Sequence, residues 1–320
     1  SVNDLLAAVG DAKHVAIAGH IRPDGDCIGS VLAVYHYLQA NGDGIAADMY
    51  LDAVPCRFLG IEGAENIQTE ASGDEVYDLL IAVDCGDEKR LGKAAVYLKT
   101  ARRSICVDHH ISNGGFADEN VIRPDASSTC EVLFDLMEYE RMDQKTAGAL
   151  YLRIAHDTGM FCYSNTTAKT LETAARLMKF DIAHTKMITE TFYSKTYLQN
   201  QVLGRALMES ILVLDGQCIV SAMRKKDMEF YGVESDDLEG IVNQLQLTRG
   251  THVAIFVYEM ESQVFKVSMR SDEYVDVSRV AVFFGGGGHV RAAGCSMTGS
   301  FHDVINNLLL HIDRQLRDQM

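Results

Sequence analysis

Residues 104–115 read SICVDHHISNGG. The opening SICV has the make-up of a short buried strand, and a Gly-containing loop closes the stretch. Between them stand Asp108, His109 and His110. Hydrophobic burial does not ask for a carboxylate and two imidazoles side by side at the end of a buried strand, so their presence must be sought in chemistry.

Working outward, the same kind of run recurs. HVAIAGH (14–20), IAADMYLD (45–52) and YDLLIAVD (77–84) read as further strands, and RRSICVD (102–108) completes the set. CIGSVLAVYHYLQANG (27–42) reads as a helix with Gly42 past its end, and the pattern from Ser127 to Lys179 is helical. Continuous apolar strands separated by helices predict a parallel α/β sheet. TKMITETFYSKTYLQNQVLGR (185–205) reads as a polar linker helix. A smaller α/β unit is expected beyond it. SILVLDGQCIVSAMR (210–224) reads as a hairpin turning at Asp215-Gly216, DDLEGIVNQLQLTRG as a helix with a Gly stop, and THVAIFVYEMESQVFKVSMRS as a strand pair. A Gly-rich loop and a closing helix follow. The predicted architecture is two α/β domains, over 1–184 and 206–320 and joined by the linker helix 185–205, with the active site in the cleft between them.

Composition narrows the function. The chain has 320 residues, is 47% hydrophobic and carries a formal charge of −16, from 29 Lys+Arg against 45 Asp+Glu. Binding of a long nucleic acid rests on many Lys/Arg–phosphate contacts, so this balance argues against it and leaves room for a small anion in one pocket. The eight cysteines form no CxxC pair, the pattern of free thiols in a reducing compartment. The opening SVNDLLAAVGDAKH lacks the positively charged lead of a signal peptide. No apolar run approaches the roughly 18 residues that span a bilayer. A cytoplasmic protein with no membrane partner is expected.

Several polar residues share one kind of place. His20, Asp24 and Asp26 follow the first strand, Asp84 ends the third, Asp108-His109-His110 end the fourth, and Asp157 ends a helical segment. In open parallel sheets, ligands bind beyond the carboxyl ends of the strands. Each element alone also reads as turn or cap chemistry, PDGD above all. Brought together, four carboxylates would repel unless protons or metal ions neutralise them. Mixed imidazoles and carboxylates suit a first-row ion such as Mn²⁺, with Mg²⁺ and Co²⁺ as alternatives. Asp24 and Asp26 lie two apart, so each can serve a different ion, and a shared carboxylate can bridge two ions about 3.5–4 Å apart, the spacing of two-metal phosphoester chemistry.

HIRPDGDCIGS, VDCGD, VDHH and HDTGMF, in that order, resemble the four motifs of the DHH phosphoesterase superfamily. FFGGGGHVRAAG (283–294) resembles the signature of its DHH-associated C-terminal domain. Compact two-domain chains of this kind are similar to the nanoRNase/pAp phosphatase group, which shortens very short oligoribonucleotides and in part dephosphorylates 3′-phosphoadenosine 5′-phosphate (pAp). The resemblance implies one ion on His20, Asp24 and Asp84, and a second on Asp26, Asp84, His109 and Asp157, with Asp84 bridging. It places His110 at the scissile phosphate as an acid or charge stabiliser, and Asp108 behind an imidazole, orienting it. Two divalent ions would cancel the four aspartates, so phosphate attraction needs further cations, His110 and at least one Arg.

For the substrate, Arg270 in SMRS (268–271) offers a bidentate guanidinium, and the GGGGH loop offers backbone N–H groups beside His289. With what the family resemblance implies, Arg270, Gly287, Gly288 and His289 are assigned to substrate binding, although Gly285–Gly288 also reads as a turn. The expected substrates are short oligoribonucleotides or small nucleotides. The runner-up is a phosphodiesterase for linear or cyclic dinucleotides, and a non-catalytic nucleotide-binding module is disfavoured because every ligand position is intact. A homodimer is the usual prior for such proteins. Ser128 with Glu131 reads as a capping box, with an anion site at the same helix start as the competing reading. Cys85 reads as a small packing residue, and His14, His36, His184, His252, His302 and His311 as structural or surface residues.

Overall fold

The computed structural model describes residues 2–23, 25–54 and 58–319, without the side chains of Asp26, His289 and Gln319. The chain divides into two compact units, Ser1–Ser194 and Lys195–Met320.

In the first unit, β1 (His14–Ala18), β2 (Ala46–Tyr50), β3 (Ile67–Gln68), β4 (Leu79–Val83), β5 (Ser104–Asp108) and β6 (Glu119–Ile122) form one sheet in the order β3-β2-β1-β4-β5-β6. Every neighbouring pair is parallel. The sequence runs in β1, β4 and β5 are continuous in hydrophobicity because both faces are covered. Val15, Ile17, Leu79, Ile81, Val83, Ile105 and Val107 face one core, which also takes residues of α1 (Leu5–Val9), α2 (Gly25–Asn41) and the later helices. The alternate residues Ala16, Ala18, Leu80, Ala82 and Cys106 face the other core, where Tyr50, Tyr77 and Tyr97 of α3 (Tyr97–Thr100) pack. Tyr77 donates to Asp48 at 2.8 Å and Tyr97 to Glu75 at 2.8 Å, so the buried rings keep their hydroxyls satisfied. Ile81 is wholly buried, and Ile81→Ala would cost about 2–5 kcal/mol.

The helical stretch resolves into α4 (Thr129–Leu136), α5 (Gln144–Asp157) and α6 (Ala168–Met178). β3 and β6 were not foreseen. Both are short edge strands, and β6 exposes Glu119 and Asn120, so neither has the apolar run that marks a central strand. Residues 185–205 differ from the expected single helix. They comprise most of α7 (His184–Ile188), a π-helical turn Thr189–Tyr193, a break, and most of α8 (Tyr197–Met208). Ser194 is extended, and Thr196 starts α8 afresh by accepting the Gln199 N–H while Gln199 reaches back to Thr196.

The second unit carries β7 (Ile211–Val213), β8 (Cys218–Met223), β9 (Val253–Glu261), β10 (Val264–Ser271), β11 (Gly287–His289) and β12 (Ala292–Thr298) in the order β11-β12-β10-β9-β8-β7. Only β8 and β9 pair in parallel. The hairpin β7–β8 turns through Leu214, Asp215 and Gly216, all at positive φ. α9 (Lys225–Tyr231) follows β8. The expected helix over DDLEGIVNQLQLTRG shrinks to α10 (Ile241–Gln246), because Gly240, at φ 84°, breaks it from the 3-10 turn Ser235–Leu238. α11 (Val277–Phe283) and α12 (Phe301–Gln319) cover one face of the sheet, while α8 and α10 cover the other. Among the described residues no helix is long and apolar enough to cross a membrane.

Candidate metal centre

Because β1, β4 and β5 are parallel neighbours, their carboxyl ends lie along one edge. The chain builds outward from β1 to β2 and β3, then returns to β4 on the other side, so the topological switch falls between β1 and β4. His20 follows β1 and Asp84 follows β4, and His20 Nε2 lies 3.7 Å from Asp84 Oδ2. Asp84 has φ 55°, a left-handed backbone rare for residues other than glycine, yet its N–H still reaches Val107 at 3.0 Å.

Asp84 is 1% exposed and its two oxygens have different neighbours. Oδ1 accepts Thr129 Oγ1 at 2.9 Å and Arg153 Nη2 at 2.9 Å. His109 Nε2 stands 3.8 Å from the same Oδ1 and 3.6 Å from Asp157 Oδ2. Two donors on one ion with bonds of about 2.0–2.2 Å lie no more than about 4.4 Å apart, so these separations suit shared coordination. The histidines are oriented for it. His20 Nδ1 is 2.8 Å from the Ile21 carbonyl and His109 Nδ1 is 3.3 Å from the Ala126 carbonyl. A proton on each Nδ1 leaves Nε2 as the lone pair facing the carboxylates, the usual tautomer of a metal-binding histidine. Asp157 Oδ2 is buried and accepts no hydrogen bond among the described residues, although Arg153 Nη2 stands 3.5 Å away, which fits an oxygen that can also take a metal ion.

Asp108 stands differently. It is fully buried, and its carboxylate accepts the His109 N–H at 2.8 Å, His110 Nδ1 at 2.7 Å and Asn113 Nδ2 at 2.7 Å. Burial by itself would raise this carboxyl, but the bonds from His110 and Asn113 outweigh it and hold Asp108 below its ordinary range. The bond from Asp108 in turn raises His110, against the opposing effect of burial. The two adjacent rings meet edge to face, with centroids 5.0 Å apart at 62°.

The structure therefore brings together His20, Asp84, Asp108, His109, His110 and Asp157. Asp24 lies outside the described residues, as does the side chain of Asp26, whose backbone is in the first turn of α2. Two groups of potential ligand atoms, His20–Cys27–Asp84 and Asp84–His109–His110, each fall within 4.8 Å, with Asp84 common to both. Cys27 was not foreseen. Its Sγ accepts the His20 N–H at 3.1 Å, which ties the start of α2 to the end of β1. Cys85, by contrast, packs as expected, wholly buried and with its thiol pushed up to about 12 by desolvation.

Sequence reading also missed Thr129, Asn113 and Arg153. Ser128 does cap α4, accepting the Glu131 N–H at 3.2 Å, but Glu131 turns to Ser127 Oγ at 2.6 Å and Thr170 Oγ1 at 2.8 Å instead of closing the box. The next residue, Thr129, serves the centre. Arg153 sits on α5 one turn before Asp157, and only its charge within an otherwise apolar helix face could have signalled it.

In the second unit, Arg270 on β10 donates from Nε to Asn243 Oδ1 at 2.8 Å and from Nη1 to the Met269 carbonyl at 3.0 Å. The glycine row is partly a strand, since Gly287–His289 pair with β12 as β11. A Cβ on Gly288 would meet the Ala292 carbonyl at 2.5 Å, whereas one on Gly287 would meet nothing within 4 Å. The His289 side chain lies outside the description. Arg291 donates to the carbonyls of Asp272 and Val275.

The model of the DHH family, N-terminal domain, matches residues 14–154, and that of the DHHA1 domain matches residues 215–318. A bifunctional oligoribonuclease and PAP phosphatase NrnA from Thermus thermophilus is 31% identical over 307 residues, covering 93% of this chain and 88% of that one. The chain belongs to the DHH family. A second protein of the same description, from Bacillus subtilis, is 22% identical and is matched over 92% of both chains. The crystal structure of an exopolyphosphatase-related protein from Bacteroides fragilis superposes with a TM-score of 0.88 at 22% identity, covering 98% of this chain and 94% of that one. That likeness establishes the DHH-type two-domain fold, with Asp108-His109-His110 at the end of β5.

Proposed function

We propose that the chain is a metal-dependent phosphodiesterase that removes mononucleotides from short oligoribonucleotides and also dephosphorylates pAp. The observation that carries the reading is Asp84, whose two carboxylate oxygens face His20 on one side and His109 on the other, at 3.7 and 3.8 Å. The donor set fits two divalent ions, Mn²⁺ by ligand type. His20, Asp24 and Asp84 would hold one, and Asp26, Asp84, His109 and Asp157 the other. When bound, the pair supplies Lewis acidity and a water made acidic enough to ionise near neutral pH.

The protein's own groups do the rest. Asp108 holds His110 by Nδ1 at 2.7 Å, which leaves Nε2 as the nitrogen for the phosphate and favours His109 over its neighbour as the ligand. Thr129 fixes the orientation of Asp84. Arg270, oriented by Asn243, and the backbone N–H of Gly287 and Gly288 with His289 are assigned to the substrate's phosphate and nucleoside. The names of the relatives from Thermus thermophilus and Bacillus subtilis supply the substrate class, and the charge of −16 argues against long polyanions. The seven described cysteines are all free, which accords with a cytoplasmic setting.

The test is hydrolysis with Mn²⁺ of a dinucleotide, a pentanucleotide, a long single strand, pAp, cyclic di-AMP and pyrophosphate, before and after chelation. Turnover of the short RNAs and pAp that disappears with the metal is expected. A preference for the long strand, or activity surviving thorough chelation, would rule the proposal out.

A further inference from the structure

The second unit holds a side-chain cluster that the chemistry above leaves unused. Asp272 directly follows β10, and its N–H donates to the His252 carbonyl at 3.1 Å, one step past the last β9–β10 pair. Its carboxylate has two tasks. Oδ1 accepts the Tyr274 N–H at 3.1 Å and so closes a turn, while Oδ2 stands 2.7 Å from His252 Nδ1. The rings of His252 and Tyr274 meet with centroids 4.3 Å apart at 54°. One aspartate thus fixes a loop backbone and an imidazole, and together they present a tyrosine that is 42% exposed.

The same loop is fastened from a second direction. Arg291 donates to the carbonyls of Asp272 and Val275, and Ser271 Oγ donates to the Val275 carbonyl at 2.6 Å. Val275 itself is buried. Arg291 belongs to GGGGHVRAAG, so the stretch that supplies the glycine row also anchors this turn. An aromatic ring held in place beforehand loses little freedom when a ligand packs on it.

Register places the cluster within the unit. Side chains two apart along a strand share a face of the sheet. Arg270 pairs with Ala254, and both face α10, since Ala254 packs in the core that α8 and α10 cover and Arg270 bonds Asn243. Asp272 and His252 each stand two positions further toward the same end, about 7 Å along the strand from Arg270. On its other side Arg270 pairs with Ala292, which pairs in turn with His289 of β11. The stacked rings therefore occupy the end of the sheet that carries Arg270 and the row Gly287–His289.

A flat apolar ligand attached to a phosphate matches this arrangement. Every nucleobase has such a face, and stacking on an aromatic side chain accepts any of the four. Resting on the assignment of Arg270 and the glycine row to substrate, we propose that Tyr274, backed by His252, is the platform on which the base of the bound nucleotide stacks. Asp272 and Arg291 are positioning residues that act through the turn. The platform selects nucleotides over other phosphoesters and does not choose among bases.

The experiment compares AMP with ribose 5-phosphate, which lacks the base, by calorimetry on the full chain as wild type, Tyr274→Ala and Tyr274→Phe. The wild type should bind AMP about 5- to 150-fold more tightly, the scale of one base–aromatic stack. Tyr274→Ala should erase that preference by weakening AMP alone, and should raise KM for a dinucleotide by a similar factor. Tyr274→Phe, which keeps the ring, should retain the preference. Equal binding of the two ligands by the wild type overturns the proposal, as does a preference that survives Tyr274→Ala. A loss shared equally by both ligands marks a purely structural role and overturns it as well. A wild type that hydrolyses no phosphoester, yet prefers AMP and loses that preference in Tyr274→Ala, defeats the hydrolase reading and upholds the platform.

Discussion

Asn113 Nδ2 donates to Asp108 Oδ2 at 2.7 Å, and the same amide reaches the Cys85 carbonyl at 3.1 Å. One side chain in the loop after β5 thus fixes the carboxylate behind His110 and ties that loop to the end of β4. Asn113→Ala removes a buried bond to a charged group and should cost about 1.5–3 kcal/mol of stability. Turnover should fall because His110 loses its fixed orientation, while bound metal stays the same. Thermal unfolding, metal content and steady-state kinetics on one preparation check all three.

Thr129→Val keeps the shape of the side chain and deletes the hydroxyl that bonds Asp84 Oδ1. Leaving that buried carboxylate oxygen one donor short should cost about 1–3 kcal/mol. Thr129→Ser should behave like the wild type, since the hydroxyl is retained. Comparing the denaturation midpoints of the two variants decides it.

His110→Ala should keep both ions and lose turnover, because Nδ1 of His110 is committed to Asp108 and His109 is the imidazole facing Asp84 and Asp157. His109→Ala should lose metal as well as activity. Equal metal content in the two variants would reverse the assignment of the histidines.

Asp78 accepts the backbone N–H groups of Lys13 and His14 at 2.9 and 3.0 Å, and these bonds place its pKa below the ordinary carboxylate value. A lowered folded-state pKa contributes stability that is complete above the unfolded Asp pKa of about 3.9 and is lost as pH falls through the folded value. The melting temperature of Asp78→Ala should therefore lie below that of the wild type near neutrality, and the two should converge as the pH drops below that of an ordinary aspartate. A constant difference down to strong acid would count against the carboxylate.

Cys85 and Cys106 are wholly buried, with thiols pushed up to about 12 by desolvation, while Cys162 is exposed. A thiol-alkylating reagent applied to the native protein should label the Cys162 peptide and spare those of Cys85 and Cys106. Peptide mapping by mass spectrometry reads this directly.

Much of this centre was legible in the sequence because parallel strands turn linear motifs into a shared edge. An apolar run of sheet length followed at once by Asp84, or by Asp108-His109-His110, states both the strand and where it stops. What stayed hidden belongs to residues whose partners lie far along the chain. Arg153 reaches Asp84 across 69 positions and Thr129 reaches it across 45, and no local pattern encodes either meeting. Thr129 was further masked by a true cap on its neighbour Ser128. The linker helix was overcalled because helical spacing continues through Ser194, whereas Thr196 and Gln199 supply a local signal for a new start that polar composition obscured. The edge strands β3 and β6 escaped because neither has a continuous apolar run.

The close approach of β11 to β12 gives two adjacent glycines opposite latitude. At Gly288, with φ 140° and the Ala292 carbonyl 2.5 Å from any added carbon, every side chain is excluded by the neighbouring backbone. At Gly287 the space is open, so a methyl group disturbs no packing there. A saturation library should consequently be purged at position 288 by misfolding, while survivors at 287 sort by what the enzyme can still process. That makes position 287 a probe of substrate contact that the fold itself leaves uncensored.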